Sequence, residues 1–151
     1  MTQVSALINA THKDPSVVYR VGPETRVSEA VALMEEKNIG ALLVMEGKVL
    51  LGIITERDIT RKVAKYPSVN SGVIKVSAVM TANPETITPS TQLIDCMELM
   101  KEKGFRHVPV IDKGEVVGIV SMRDVLIALV RYQELVAQNL QDYITGSVYR
   151  G

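Results

Sequence analysis

Apolar residues at Val27, Ala30, Val31 and Met34 have the i, i+3, i+4, i+7 spacing of one buried helical stripe, and Leu93, Cys96, Met97 and Met100 repeat it. Each stripe follows a β-branched stretch and a proline turn, Val17 to Val21 before Pro23 and Thr86-Ile87 before Pro89. Thr25 and Thr91 then stand where a helix N-cap is expected. Asn38 and Gly104 end the two helices, since both residue types tolerate the left-handed conformation that closes a helix. Two compact apolar runs come next in each half, Ala41 to Met45 with Val49 to Ile54, and Val108 to Ile111 with Val116 to Val120. Short glycine-containing turns, Glu46-Gly47-Lys48 and Asp112-Lys113-Gly114, join them as hairpins. A further helix starts after Thr55 and after Ser121.

The two halves are copies. Residues 21–58 align without a gap on residues 87–124, an offset of 66, with eleven identical pairs that include Pro23/Pro89, Gly52/Gly118, Arg57/Arg123 and Asp58/Asp124. The fold class is therefore α/β, two β-α-β-β-α repeats that pack with pseudo-two-fold symmetry, because neither half alone has enough apolar surface to bury. Residues 1–65 hold an N-terminal extension and the first repeat, 66–75 form a polar linker, and 76–151 hold the second repeat. The last helix should run past Val130 to about Tyr143, with Leu129, Tyr132, Leu135, Val136, Leu140 and Tyr143 as an apolar side fit for an oligomer contact.

Composition narrows what such a fold does. Lys+Arg and Asp+Glu both total 17, so there is no net positive field to gather nucleic acid. One cysteine, Cys96, forms no internal disulfide and sits on a buried stripe, which points to core packing and a reducing compartment. His107 has no cysteine or second histidine nearby, so no metal is assigned. No run approaches the roughly 18 apolar residues of a membrane span, and the first ten residues carry no cation ahead of their apolar stretch; the expectation is a cytoplasmic protein with no membrane contact. No Ser/His/Asp set, phosphate-loop glycines or paired acids suggest turnover, which favours binding over catalysis.

The chemistry sits in a repeated segment. Gly52-Ile53-Ile54-Thr55-Glu56-Arg57-Asp58 returns as Gly118-Ile119-Val120-Ser121-Met122-Arg123-Asp124. A hydroxyl followed three residues later by an acid is a helix-capping signature. It also suits a ligand: a carboxylate fixed at a helix N-terminus repels phosphate and accepts hydrogen bonds from a neutral diol such as a ribose. Arg57 and Arg123, beside the aspartates, and Arg106 with His107, before the strand Val108 to Ile111, supply cations for a phosphate. Both readings, cap and ligand contact, stay open at this point.

These segments, together with the strand His107-Val108-Pro109-Val110 and the lead-in Val76-Ser77-Ala78-Val79-Met80-Thr81, resemble the paired cystathionine β-synthase (CBS) domains, also called a Bateman module. The resemblance covers nearly the whole chain. It implies a regulatory, non-catalytic module that binds AMP, ADP or ATP, or NAD, in clefts between the repeats and passes a conformational change to a regulated protein that the sequence does not identify. It also implies a homodimer. Asp58 and Asp124 then resemble ribose-diol contacts with Thr55 and Ser121 near ribose or phosphate, while Arg57, Arg123, Arg106 and His107 match phosphate-facing positions. The adenine would contact Ile39, Gly40, Ala41 and Ile119 in one cleft, and Phe105, Val108, Pro109, Ile53, Val76 and Ala78 in the other. The first repeat departs from the family pattern, with Leu43 in the place of Pro109 and Gly40-Ala41 in the place of Arg106-His107, so the two clefts should differ in ligand or affinity. Two alternatives remain: an interaction or oligomerisation module whose clefts stay empty, and an enzyme acting on the bound nucleotide.

Overall fold

The computed structural model describes residues 2–11, 18–65 and 73–146. In chain order the elements are α1 (Val4–Thr11), β1 (Arg20–Val21), α2 (Val27–Lys37), β2 (Ala41–Glu46), β3 (Val49–Thr55), α3 (Glu56–Ala64), α4 (Val76–Val79), β4 (Thr81–Ala82), α5 (Leu93–Lys103), β5 (His107–Asp112), β6 (Glu115–Ser121) and α6 (Met122–Thr145). β1 to β4 form one sheet in sequential order, with β1 parallel to β2 and the other pairs antiparallel. β5 and β6 form a second, two-stranded sheet.

The repeat is visible in the local geometry. Both hairpins carry a register shift at the same place, between Val44 and Met45 and between Val110 and Ile111. Gly47 (φ 60°), Lys113 (φ 50°) and Gly114 (φ 82°) supply the positive φ values that tight hairpin turns need. Asn38 (φ 52°) and Gly104 (φ 77°) close α2 and α5 in the left-handed conformation, as their residue types suggest.

Three expectations are corrected. Thr25 and Thr91 are not N-caps: their hydroxyls accept from the Gly22 and Thr88 N–H groups, both at 3.2 Å, and so close the turns leading into the helices. The cap positions are Arg26 and Gln92. Side-chain caps are dispensable there because the first helical N–H groups find main-chain partners, Val27 donating to Ile74 O (2.8 Å) and Leu93 to Thr2 O (3.0 Å). Val31, placed on the buried stripe, is 44% exposed, so α2 buries the narrower set Val27, Ala30 and Met34. Thr86-Ile87 is no strand. Ile87 alone bridges Val110, with prolines at 84 and 89 leaving little room for a longer ladder. Val17 and residues 66–72 of the expected strand and linker lie outside the described residues.

Two cores form, and each borrows a helix. Val27, Ala30, Met34, Leu42, Val44 and Ile54 pack with Val76 and Val79 of α4. Leu93, Cys96, Met100, Val108, Val110, Val120 and Val125 pack with Val4 and Leu7 of α1. The short helix preceding each repeat therefore serves the other repeat's core. Equivalent main-chain bonds hold the two: Val4 N–H to Thr91 O (2.9 Å) and Ser5 N–H to Pro89 O (2.9 Å) for α1, Val76 N–H to Thr25 O (2.7 Å) and Ser77 N–H to Pro23 O (3.1 Å) for α4. This exchange ties the halves together.

Candidate functional site

Each hairpin delivers its second strand directly into a helix, so the hydroxyl at the junction and the acid one turn later face each other. In the first repeat the Asp58 N–H donates to Thr55 Oγ1 at 3.1 Å and the Thr55 N–H to Asp58 Oδ2 at 3.2 Å. In the second, the Asp124 N–H donates to Ser121 Oγ at 3.1 Å and the Ser121 N–H to Asp124 Oδ2 at 3.3 Å. Both are complete reciprocal caps. The capping reading is correct, and it fixes each carboxylate rigidly at the mouth of a cleft.

The first cleft, of about 500 Å3, takes Ile53, Thr55, Arg57 and Asp58 from the first repeat and Phe105, Arg106 and His107 from the second. The second, of about 470 Å3, takes Ile119, Ser121, Arg123 and Asp124 from the second repeat and Ile39, Gly40 and Ala41 from the first. Both fall within the roughly 300–1,000 Å3 of small-molecule sites. The 66-residue offset relates the two walls: Ile39 answers Phe105, Gly40 answers Arg106 and Ala41 answers His107. Every expected ribose and phosphate residue thus lines a cleft, and so do Ile39, Gly40, Ala41, Ile53, Phe105 and Ile119. Four do not: Val108 and Pro109 are buried in β5, Val76 is fully buried against the first repeat's core, and Ala78 is exposed elsewhere.

Several lining residues escaped the sequence reading. Tyr19, Val18 and Asn38 line the second cleft, and Glu85, Pro84 and Gly104 occupy the equivalent places in the first. The repeat offset carries that signal, since each is the partner of another at 66 residues. Arg61, Lys103, Glu56, Thr81 and Asn83 complete the first cleft. Arg61 and Lys103 had no motif to mark them.

The charges of the two clefts differ. The first gathers Arg57, Arg61, Lys103 and Arg106 against Glu56, Asp58 and Glu85; the second has Arg123 against Asp124. Arg57 is partly committed, donating through one terminal nitrogen to Gly104 O at 3.3 Å, a carbonyl at the negative end of α5. His107 is half-buried, and desolvation holds its imidazole below the ordinary 6.5, opposed by the Asp124, Glu56 and Asp58 carboxylates and reinforced by Arg106. Among the described residues no group of three His, Cys, Asp or Glu is placed to hold a metal, and no helix is long and apolar enough to cross a membrane.

Set beside known proteins, residues 15–65 and 76–131 each match the family model for the CBS domain. The chain belongs to the CBS domain family. It is similar to the mitochondrial CBS domain-containing protein CBSX3 of Arabidopsis thaliana, 39% identical over 125 residues, which cover 80% of this chain and 60% of the relative. Among solved structures it is similar to a protein with CBS domains from Burkholderia ambifaria MC40-6, named as a candidate signal-transduction protein. That match has a TM-score of 0.81 and 37% identity, and covers 86% of this chain and 95% of that one. CBSX2 of Arabidopsis thaliana, solved in complex with AMP, is similar at a TM-score of 0.71 and 27% identity, over 88% of this chain and 99% of that one. The two matched segments contain both hairpins, and the two clefts lie between these repeats.

Proposed function

We propose that this CBS pair is an adenine-nucleotide sensor: AMP, ADP, ATP or the adenylate half of NAD binds in the clefts between the repeats and shifts the arrangement of a regulated partner protein. The observation that carries the reading is the composite wall of each cleft, a rigidly capped carboxylate from one repeat opposite an apolar and cationic wall from the other. Asp58 and Asp124 accept from the ribose hydroxyls, since a carboxylate at a helix N-terminus favours a neutral diol over an anion. Phe105 with Ile53, and Ile39 with Ile119, give each base an apolar seat. The four cations of the first cleft suit a nucleotide with more phosphates, and the second suits a monophosphate. Regulation requires the ligand to prefer one arrangement of the repeats or of two protomers over the other. The exposed apolar side of α6, with Leu135, Val136, Leu140 and Tyr143, supports a homodimer as the unit that responds. The Thr55 and Ser121 hydroxyls accept from the Asp58 and Asp124 N–H groups, and among the described residues neither is hydrogen-bonded to His107, which favours binding over turnover.

Thermal unfolding in the presence of AMP, ADP, ATP and NAD tests this. A true ligand raises the melting temperature with concentration, by about 2.7 kcal/mol of stability at a hundred times its Kd. Melting unchanged by all four at millimolar concentration would leave the fold as an assembly module with empty clefts.

A further inference from the structure

A third cavity, of about 360 Å3, lies in the second repeat outside the space between the hairpins. Ala6 and Leu7 of α1, Leu93 at the start of α5, and Ile127 and Ala128 of α6 give it an apolar wall, and Asp124 and Arg131 of α6 add one charge of each sign. The first repeat shows what fills the matching place. The equivalent main-chain bonds of α1 and α4 set Leu7 in register with Val79, and the 66-residue offset sets Ala128 in register with Lys62. Lys62 is half-buried and reaches from α3 to the end of α4, where its Nζ donates to Val79 O at 2.7 Å and to Met80 O at 3.3 Å. An aliphatic stem with an ammonium at its tip thus stands in the first repeat where the second has a methyl group and open space.

The acceptor for such an ammonium differs between the repeats. α4 stops at Val79, whereas α1 continues to Thr11, so the helix-end carbonyls that receive Lys62 have no counterpart at Leu7. Asp124 takes their place on the wall. Its Oδ2 accepts from the Ser121 N–H at 3.3 Å, and among the described residues no hydrogen bond reaches Oδ1. A carboxylate has room for about four donors, so the cap leaves capacity for an ammonium. Arg131 is exposed and stands two turns further along the same helix face, about 10.5 Å away in rise. The wall is therefore anionic at one end, cationic at the other and aliphatic between them.

We propose that this cavity binds a small primary alkylammonium, its chain over Leu7, Leu93 and Ala128 and its N–H groups on Asp124, in the place that Lys62 fills by itself in the first repeat. Arg131 repels a second ammonium at the far end and attracts a carboxylate there, so an ω-amino acid binds more tightly than a diamine of the same length. The site stands apart from the nucleotide reading, although Asp124 also lines the second cleft.

The test titrates butylamine, γ-aminobutyrate, diaminobutane and butyrate separately into isotope-labelled protein and follows the backbone amides by NMR. Butylamine and γ-aminobutyrate should move the amides of Ala6, Leu7, Ile127 and Ala128 saturably, diaminobutane should do so more weakly, and butyrate should leave them in place. Ala128→Lys, which carries its own ammonium into the cavity, should melt no lower than wild type and lose the response to butylamine. Ala128→Met fills the same space without charge and should lose the response too, which keeps the test decisive should the lysine variant fail to fold. Asp124→Asn, which keeps an oxygen for the cap and removes the charge, should weaken butylamine by roughly tenfold, the worth of one charge-assisted hydrogen bond. Wild-type amides that show no saturable movement would overturn the proposal, as would butyrate acting like butylamine or a full butylamine response in folded Ala128→Met. Diaminobutane binding as tightly as γ-aminobutyrate would overturn the part given to Arg131.

Discussion

The aspartates of the two repeats cap their helices, and the proposed ribose contact would be a second role for the same carboxylates. Their Oδ2 atoms close the helix caps at 3.2–3.3 Å, a contribution of about 1 kcal/mol each, and the same bonds hold the carboxylates at the cleft walls. Cap and ligand contact do not exclude each other, because a cap of this kind would preorganise the proposed contact. The cysteine has a simpler fate. Cys96 is fully buried beside Met100, and desolvation pushes its thiol up to about 11, so the reactive thiolate is scarce at neutral pH. The folded protein should therefore leave an aromatic disulfide reagent unreacted until denaturant is added. A stoichiometric burst of released thiolate from native protein would contradict the packing described for α5.

Among the elements, the helices and hairpins were legible because their periodicities are local. The stripe of α5, the left-handed ends at Asn38 and Gly104, and the turns at residues 46–48 and 112–114 all follow from residue type and spacing. What was not legible depends on contacts between distant main-chain atoms. The exchange of α1 and α4 between the repeats rests on N–H to carbonyl bonds, for which side-chain identity matters little, and the two segments accordingly look only loosely alike. The expected caps at Thr25 and Thr91 failed for a similar reason, since the Val27 and Leu93 N–H groups donate to the Ile74 and Thr2 carbonyls. β4 was likewise hidden, since two residues leave no pattern, yet its position constrains β3 closely. A Cβ on Gly52 would fall 2.6 Å from Met80 Sδ and 2.7 Å from the Thr81 carbonyl oxygen. The carbonyl is backbone and cannot swing away, so Gly52→Ala should destabilise the protein by about 1–3 kcal/mol in urea unfolding. Stability unchanged from wild type would mean that β4 does not lie against β3 as described.

At the scale of the whole molecule, the pseudo-two-fold builds two clefts from one plan and then departs from it at a few positions. Arg106 and Glu85, which face the first cavity where the second has Gly40 and Tyr19, give the first the larger set of charged side chains. The offset of 66 residues foretold the composite walls. Their depth at Val76, Ala78, Val108 and Pro109 was misjudged because those side chains turn into the cores or away, an outcome decided by which face of each element the exchanged helices cover. α6 extends the plan on one side only. Its 24 residues span about 36 Å, and the exposed apolar residues continue to Ile144, beyond any repeat counterpart.

The central claim is that the two capped carboxylates mark two nucleotide sites. Isothermal titration of AMP into wild type, Asp58→Ala, Asp124→Ala and the double variant tests it most directly, with circular dichroism confirming that each remains folded at a cost of about 1 kcal/mol per lost cap. The account predicts that each single variant loses binding in its own cleft and keeps the other, and that the double variant binds nothing. Folded variants that bind AMP as wild type does would show that these carboxylates are caps alone.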